Sequence, residues 1–189
     1  MATRRVVTGH DAHGKAIVIE DGPAPFVHLN PARPEYSSTD IWRTQATPAP
    51  IVHRAAEPTL GPRRQLPGAR GSVIRINVMP PDDEQVDNMT PEQAQAVFAS
   101  LGNQTAATFG RGGRHPMMHR TETVDYAIVL DGEVTMLLDE SEVVLRAGDV
   151  LVQNGTNHAW VNRSGKPCTI CFVLLDGEFE QSLGAVLGT

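Results

Sequence analysis

Gly148-Asp149-Val150-Leu151-Val152-Gln153-Asn154-Gly155-Thr156-Asn157-His158-Ala159-Trp160-Val161-Asn162 is the stretch that decides the fold. A turn, Arg146-Ala147-Gly148-Asp149, opens the β-branched run Val150 to Gln153. Asn154-Gly155-Thr156 is turn chemistry, and His158 to Asn162 reads as the next strand. Upstream, Val124 to Leu130 runs into Asp131-Gly132, a hairpin signal, and Glu133 to Leu138 returns from it. Asp139-Glu140-Ser141 turns again before Glu142 to Leu145. Downstream, Ser164-Gly165-Lys166-Pro167 precedes a last long strand from Cys168 to Leu175. Strands about 8 to 12 residues apart with Gly-rich turns predict an all-β sandwich or barrel.

Further out the texture changes. Val73 to Met79 alternates apolar and polar on a period of two, a half-buried strand ended by Pro80-Pro81. One short helix follows, with Thr90 as N-cap, Pro91 at the first helical position and Gln93 completing a capping box. Gly102 closes it, and the helix is expected on the outside of the sheet. Residues 1–72 contain short strand-like pieces: Arg5 to Thr8, Lys15 to Ile19, and Asp40 to Thr44. Pro23, Pro25, Pro31, Pro34, Pro48, Pro50, Pro58, Pro62 and Pro67 argue against long regular elements there. The expected organisation is an extended N-terminal arm over 1–72, packed on the barrel or on a partner subunit, and a barrel over 73–189.

With 5% aromatic residues, the core must come from Val, Leu, Ile, Ala and Met. The net charge of −6 repels phosphates, so no nucleic-acid partner is expected. Two arginines near the N-terminus are not followed by an apolar run, which argues against a signal peptide. No stretch approaches the roughly 20 apolar residues of a membrane span, so no membrane is expected and the default compartment is the cytoplasm. Cys168 and Cys171 are spaced C-x-x-C, but on a strand that spacing puts them on opposite faces. They read as two reduced thiols packed as small hydrophobes.

Two motifs together resemble those of the cupin superfamily. Asp125-Tyr126-Ala127-Ile128-Val129-Leu130-Asp131-Gly132-Glu133-Val134 is similar to the end of the first cupin motif, and Gly148 to Asn162 is similar to the second. Order and spacing agree, and the resemblance covers roughly residues 107–176. It implies a small single-domain protein with an RmlC-like, cupin_2-like barrel: an all-β, double-stranded β-helix or jelly-roll fold with the N-terminal arm and one short helix.

The family pattern holds a divalent metal with three histidines and a carboxylate, and this chain departs from it. His115-Pro116-Met117-Met118-His119 stands where H-x-H is usual, Asp125 occupies the metal-carboxylate position counted back from Gly132, and the turn before His158 is one residue short. His119, Thr121, Thr123 and Asp125 share a parity and would all face the barrel interior, whereas Glu122 has the opposite parity. The resemblance implies Fe, Mn, Zn or Ni on His119, Asp125 and His158. The same groups can instead form a metal-free pocket, with His119 and Asp125 bonded to one another. His158 or Glu122 is the candidate for moving a proton. His115, Gln153 and Trp160 are candidates for the substrate pocket, with Asn157 beside them, and Arg111 and Arg114 are expected near the mouth. His10, His13, His28 and His53 lack ligand spacing and receive no role, and Met117 and Met118 read as core.

Three functions are compatible with this reading. The first is a metal-dependent enzyme of oxygenase, lyase, dehydratase or isomerase type acting on a small organic substrate. The second is a non-catalytic metabolite-binding barrel, and the third is a storage barrel, disfavoured by inward polar groups. A homodimer is expected, because the proline-rich arm has little core of its own.

Overall fold

The computed structural model describes residues 3–30 and 33–188; Pro31 lies outside them. In chain order the strands are β1 (Arg4–His10), β2 (Ala16–Pro23), β3 (Phe26–Asn30), β4 (Arg33–Thr44) and β5 (Ser72–Met79). Helices α1 (Glu84–Asp87) and α2 (Pro91–Ser100) follow, then β6 (Thr123–Asp131), β7 (Glu133–Leu137), β8 (Glu142–Arg146), β9 (Val150–Asn154), β10 (Ala159–Val161), β11 (Cys168–Asp176) and α3 (Gln181–Leu187). The described residues thus hold two short helices beyond the expected one.

The strands form a six-stranded sheet in the order β3-β4-β5-β11-β6-β9, a three-stranded sheet β10-β7-β8, and the hairpin β1-β2, all antiparallel. This is the all-β fold expected from the strand spacing, in the jelly-roll form that the cupin resemblance implies. One local expectation fails. Asp131-Gly132 does not close a hairpin, because β6 pairs with β11 and β9 while β7 pairs with β10 and β8. The chain turns a corner there from one sheet to the other. Asp139-Glu140-Ser141 does close a hairpin, joining β7 to β8.

The core lies between the two main sheets. Val73, Ala127, Val129, Val134, Leu145, Cys168, Ile170, Phe172 and Leu174 form one buried cluster. Each large side chain in it contributes roughly 1.5–3 kcal/mol by leaving water. Cys168 and Cys171 are both buried and free, and burial pushes the Cys168 thiol up to about 11, so neither is a ready thiolate.

The N-terminal region is more regular than its prolines suggest. β4 runs for 12 residues and pairs with β5 from Ser37 to Thr44, so it belongs to the large sheet. Pro34 stands ahead of that pairing, where its missing N–H removes no bond to β5. Arg5 ties the β1-β2 hairpin to β4. Its side chain is 3% exposed, pairs with Glu20 and Glu57, donates to the Ile41 carbonyl at 3.1 Å and lies over the Trp42 ring. Burial raises the Glu57 carboxyl, but its bonds from Arg5 and Thr59 outweigh that and hold it at about 2.

Among the described residues no helix is long and apolar enough to cross a membrane.

Candidate functional site

Three segments meet edge to edge at the site: Ala107 bridges His119, and His119 bridges His158. The two histidines exchange both backbone hydrogen bonds, each N–H donating to the other's carbonyl at 2.9 Å. Both rings therefore project from one face, with centroids 4.3 Å apart. Each Nδ1 sits against the backbone carbonyl two residues earlier, Met117 at 3.0 Å and Thr156 at 2.9 Å. A carbonyl only accepts, so on His119 the proton is on Nδ1 and the Nε2 lone pair is left to face a ligand, whereas His158 Nδ1 meets both the Thr156 carbonyl and the Gln153 amide nitrogen. Burial pushes His119 down to about 4; burial and then His119 push His158 down to about 3. Both imidazoles are neutral at pH 7.

Aromatic rings continue the line on either side. Phe98 of α2 lies 4.7 Å from His119, while Trp160 presents an edge to His158 at 6.1 Å and to Phe172 at 5.2 Å. The capping box expected of α2 is present, with Gln93 Oε1 accepting from Thr90 N at 2.8 Å and Gln93 N donating to Thr90 Oγ1 at 3.3 Å. The helix does not pack on the outside of the sheet, however. Phe98, 2% exposed, seats it over the histidine pair.

The alternation read from 119 to 125 holds. Thr121, Thr123 and Asp125 are buried and Glu122 is exposed. Glu122 Oε1 accepts from Phe179 N at 2.7 Å, and its side chain lines an open surface depression of about 600 Å³ with Arg70 and Asp176. A proton-moving role for Glu122 in the barrel is therefore corrected: it has the wrong parity to face inward. Asp125 faces inward. Burial outweighs the pull of Thr123 and Arg75 and raises its carboxyl to about 6, and its Oδ1 is buried without a hydrogen-bond partner.

Gln153 is the cross-strand neighbour of Asp125 and touches His158 Nδ1 at 3.1 Å while donating to the Thr156 carbonyl at 3.0 Å. Asn157 braces the loop, accepting from Thr108 Oγ1 at 2.7 Å and donating to Asp139. His115 is buried with Nε2 unpartnered, and its charged neighbours are Asp82, Asp87, Arg163 and Arg114. The structure does not bring His115 to the histidine pair. Nor do the expected mouth arginines reach it: Arg111 donates to the carbonyls of Thr105 and Ala107, and Arg114 to those of Leu138 and Ser141. Met118 is fully buried core.

The donor set fits a metal only in part. His119 has the tautomer a ligand needs, with Nδ1–H held by the Met117 carbonyl. Asp125 does not join the histidine pair: among the described residues no group of three or more His, Cys, Asp or Glu is gathered as a metal site. The expected set of His119, Asp125 and His158 is thus incomplete among the described residues.

Sequence reasoning missed the opposite wall. On β5 the polar side faces in: Val73, Arg75 and Asn77 are buried, while Ile74, Ile76 and Val78 are half-buried on the outer face. Tyr36 Oη accepts from Asn77 Nδ2 at 3.2 Å, and Asp40 lies opposite Arg75. His28, given no role from sequence, lies opposite Ser38 and is pushed down by burial and by Arg63. The one available signal was that Val73 shares the parity of Arg75 and Asn77.

The cupin domain, described as Cupin_2, matches residues 107–180. The chain is 46% identical over 94 residues to phomopsin biosynthesis cluster protein D of Diaporthe leptostromiformis, covering 49% of this chain and 50% of that protein. It is 43% identical over 72 residues to the cupin-domain-containing oxidoreductase srdD of Neurospora crassa, covering 36% of each. It is 27% identical over 183 residues to the cupin-domain-containing oxidoreductase fogC of Aspergillus ruber, covering 91% of this chain and 71% of that one. The chain spans about half the length of the Diaporthe relatives it matches.

Proposed function

We propose that this chain, whose residues 107–180 match the cupin domain, is a cupin whose barrel is the active site of an enzyme moving a proton on a small oxygen-bearing metabolite. The reaction class is isomerase, dehydratase or lyase. One observation carries the reading. Asp125 is 7% exposed, faces inward with Oδ1 unpartnered, and has a carboxyl raised to about 6. A base of that strength is ionised at neutral pH yet basic enough to take a proton and return it. His119 and His158 supply two neutral imidazoles that orient a substrate hydroxyl, and Gln153, cross-strand neighbour of Asp125, lies 3.1 Å from His158 Nδ1. Phe98 and Trp160 exclude water from the pair. Relatives named for biosynthesis clusters support a metabolite as the substrate.

The test is solvent deuterium exchange into the acidic C–H positions of a panel of keto and phenolic compounds, followed by NMR. Exchange catalysed by the wild type and lost in Asp125→Asn is expected; exchange that persists in that variant sinks the reading.

A second reading is a redox enzyme with a divalent ion held by His119 and His158, which would supply Lewis-acid or electron-transfer chemistry. The free Nε2 of His119 favours it, as do the relatives named oxidoreductases. Metal analysis on untagged protein decides: stoichiometric metal lost in His158→Ala supports it, and metal-free active protein refutes it.

The expected homodimer belongs to the same proposal. Tyr126, Leu130, Val150 and Val152 leave an exposed apolar stripe across the outer faces of β6 and β9. A monomer in light scattering at micromolar concentration refutes the dimer.

A further inference from the structure

The inner wall of the six-stranded sheet carries more positive charge than its own carboxylates balance. β5 turns Arg75 and Asn77 inward, 4% and 9% exposed, and β4 places Asp40 opposite Arg75 and Ser38 opposite Asn77. Asp40, 0% exposed, holds both Arg43 and Arg75, the latter through Nε at 3.2 Å. Arg63 reaches in from the preceding loop and donates to Ser38 Oγ at 3.1 Å. Arg43 and Arg75 thus pair with Asp40, Arg63 lies close enough to Arg75 to act on its charge, and the next carboxylate along the wall is Asp125, which feels the charge of Arg75. Three guanidinium groups against two carboxylates leave one positive charge over. The group left over is Arg63, which is half-buried and has no carboxylate partner among the described residues.

Several polar atoms on this wall have nothing to bond. The Arg75 guanidinium donates to one protein acceptor, the Arg64 carbonyl at 2.9 Å, against its five N–H donors, while its Nε and Asp40 Oδ1, an ion pair at 3.2 Å, are both buried without a hydrogen-bond partner. Arg63 Nε, Asn77 Oδ1 and Asp125 Oδ1 are buried without a hydrogen-bond partner. Buried polar groups are nearly always satisfied, so a cluster of unsatisfied ones marks where the polar atoms of a ligand belong. Between this wall and His158 stand Phe172, the cross-strand neighbour of Arg75, and Trp160, 5.2 Å from it. They offer an apolar surface to an unsaturated ligand.

We propose that Arg63 and Arg75 bind the carboxylate of a small, unsaturated, hydroxylated organic monoanion, with Asn77 Oδ1 accepting from a hydroxyl of the same molecule. Phe172 and Trp160 pack against its body, and its reacting end lies toward Asp125 and the histidine pair. This deepens the enzyme reading above and rests on it for the position of the reacting end. The binding wall itself stands on β4, β5 and the loop before β5.

The test titrates benzoate, 4-hydroxybenzoate and neutral benzamide into the full chain, followed by Trp fluorescence and thermal shift. Benzoate is expected to bind at least about tenfold more tightly than benzamide, a difference of about 1.4 kcal/mol, and 4-hydroxybenzoate more tightly still. Arg75→Met and Arg63→Met should each erase most of the preference for the carboxylate while leaving benzamide unchanged. Equal affinity for acid and amide, or no carboxylate binding at millimolar concentration, overturns the proposal. Arg75→Met unbalances Asp40, so Arg63→Met, at a partly exposed site, decides if it fails to fold. Asn77→Leu should remove the advantage of 4-hydroxybenzoate over benzoate, and a retained advantage overturns the hydroxyl contact. Asp125→Asn separates the two readings. Benzoate binding retained while exchange is lost supports both, whereas benzoate binding with exchange intact removes the enzyme reading and leaves the anion wall standing.

Discussion

His119 and His158 form one structural unit: each backbone N–H donates to the other's carbonyl at 2.9 Å, and the rings lie 4.3 Å apart with both Nδ1 atoms held by local carbonyls. Two imidazoles fixed this closely, His158 buried and His119 half-buried under Phe98, cannot both take a proton cheaply. That sets their response to acid. Their values, about 4 and about 3, lie below the ordinary 6.5, so the unfolded chain binds protons first. The stability they contribute is full above pH 6.5 and is lost as pH falls toward 3. Urea unfolding at pH 7 and pH 4.5 should show a steep loss for the wild type. The double variant His119→Asn/His158→Gln should flatten it, and an unchanged slope would count against the neutral pair.

Asp125 behaves in the opposite sense. Its carboxyl is raised to about 6, so the folded state favours its protonated form, and that contribution is lost as pH rises through about 6. Asp125→Asn should therefore stabilise the protein near pH 7.5 by up to about 3 kcal/mol and leave it nearly unchanged near pH 3.5. Denaturant midpoints at the two pH values check this. Equal effects at both would mean that Asp125 is not desolvated.

Phe98 joins α2 to the site. It is 2% exposed and stacks on His119 at 4.7 Å. Phe98→Ala should cost about 3–5 kcal/mol for the lost burial and the cavity left behind. It should also wet His119 and move its titration up from about 4 toward the ordinary value. An NMR pH titration of the His119 ring reads the second effect separately from the first. A destabilised variant with His119 unmoved would show that Phe98 packs there without controlling access of water.

How much of this was legible in the sequence depends on which interaction sets each feature. Strand order along 124–176, the capping box at Thr90 and Gln93, and the inward parity of Asp125 are local, and the residues reveal them. The pairing of β4 with β5 is not local. It joins residues 37–44 to 72–78, and nothing in the proline-rich segment between announces it. The phase of β5 was hidden for a related reason. Alternation says that two faces differ, but the polar face turns inward here because Asp40 waits across the strand pair to hold Arg75. The Asp131-Gly132 turn had hairpin chemistry without hairpin pairing, since the same residues serve a corner between sheets as well as a return within one.

That corner supports a prediction that separates conformation from crowding. Gly132 has φ +79°, and a Cβ there would sit 2.7 Å from the Pro167 carbonyl oxygen and 3.1 Å from Cys168 Cα. Gly148, at the turn into β9, also has a positive φ of +94°, but a Cβ there would meet nothing within 4 Å. Both Gly→Ala substitutions incur the left-handed penalty of roughly 1–2 kcal/mol. Only Gly132→Ala also drives a methyl group into backbone, where nothing flexible can yield. Gly148→Ala should therefore cost about 1 kcal/mol and Gly132→Ala at least about twice that, as measured by chemical denaturation of the two variants side by side. Equal costs would show that Gly132 is needed for its backbone angles alone. A larger cost at Gly132 places the close approach of the β6–β7 corner to the Pro167-Cys168 segment among the contacts that hold the two sheets in register.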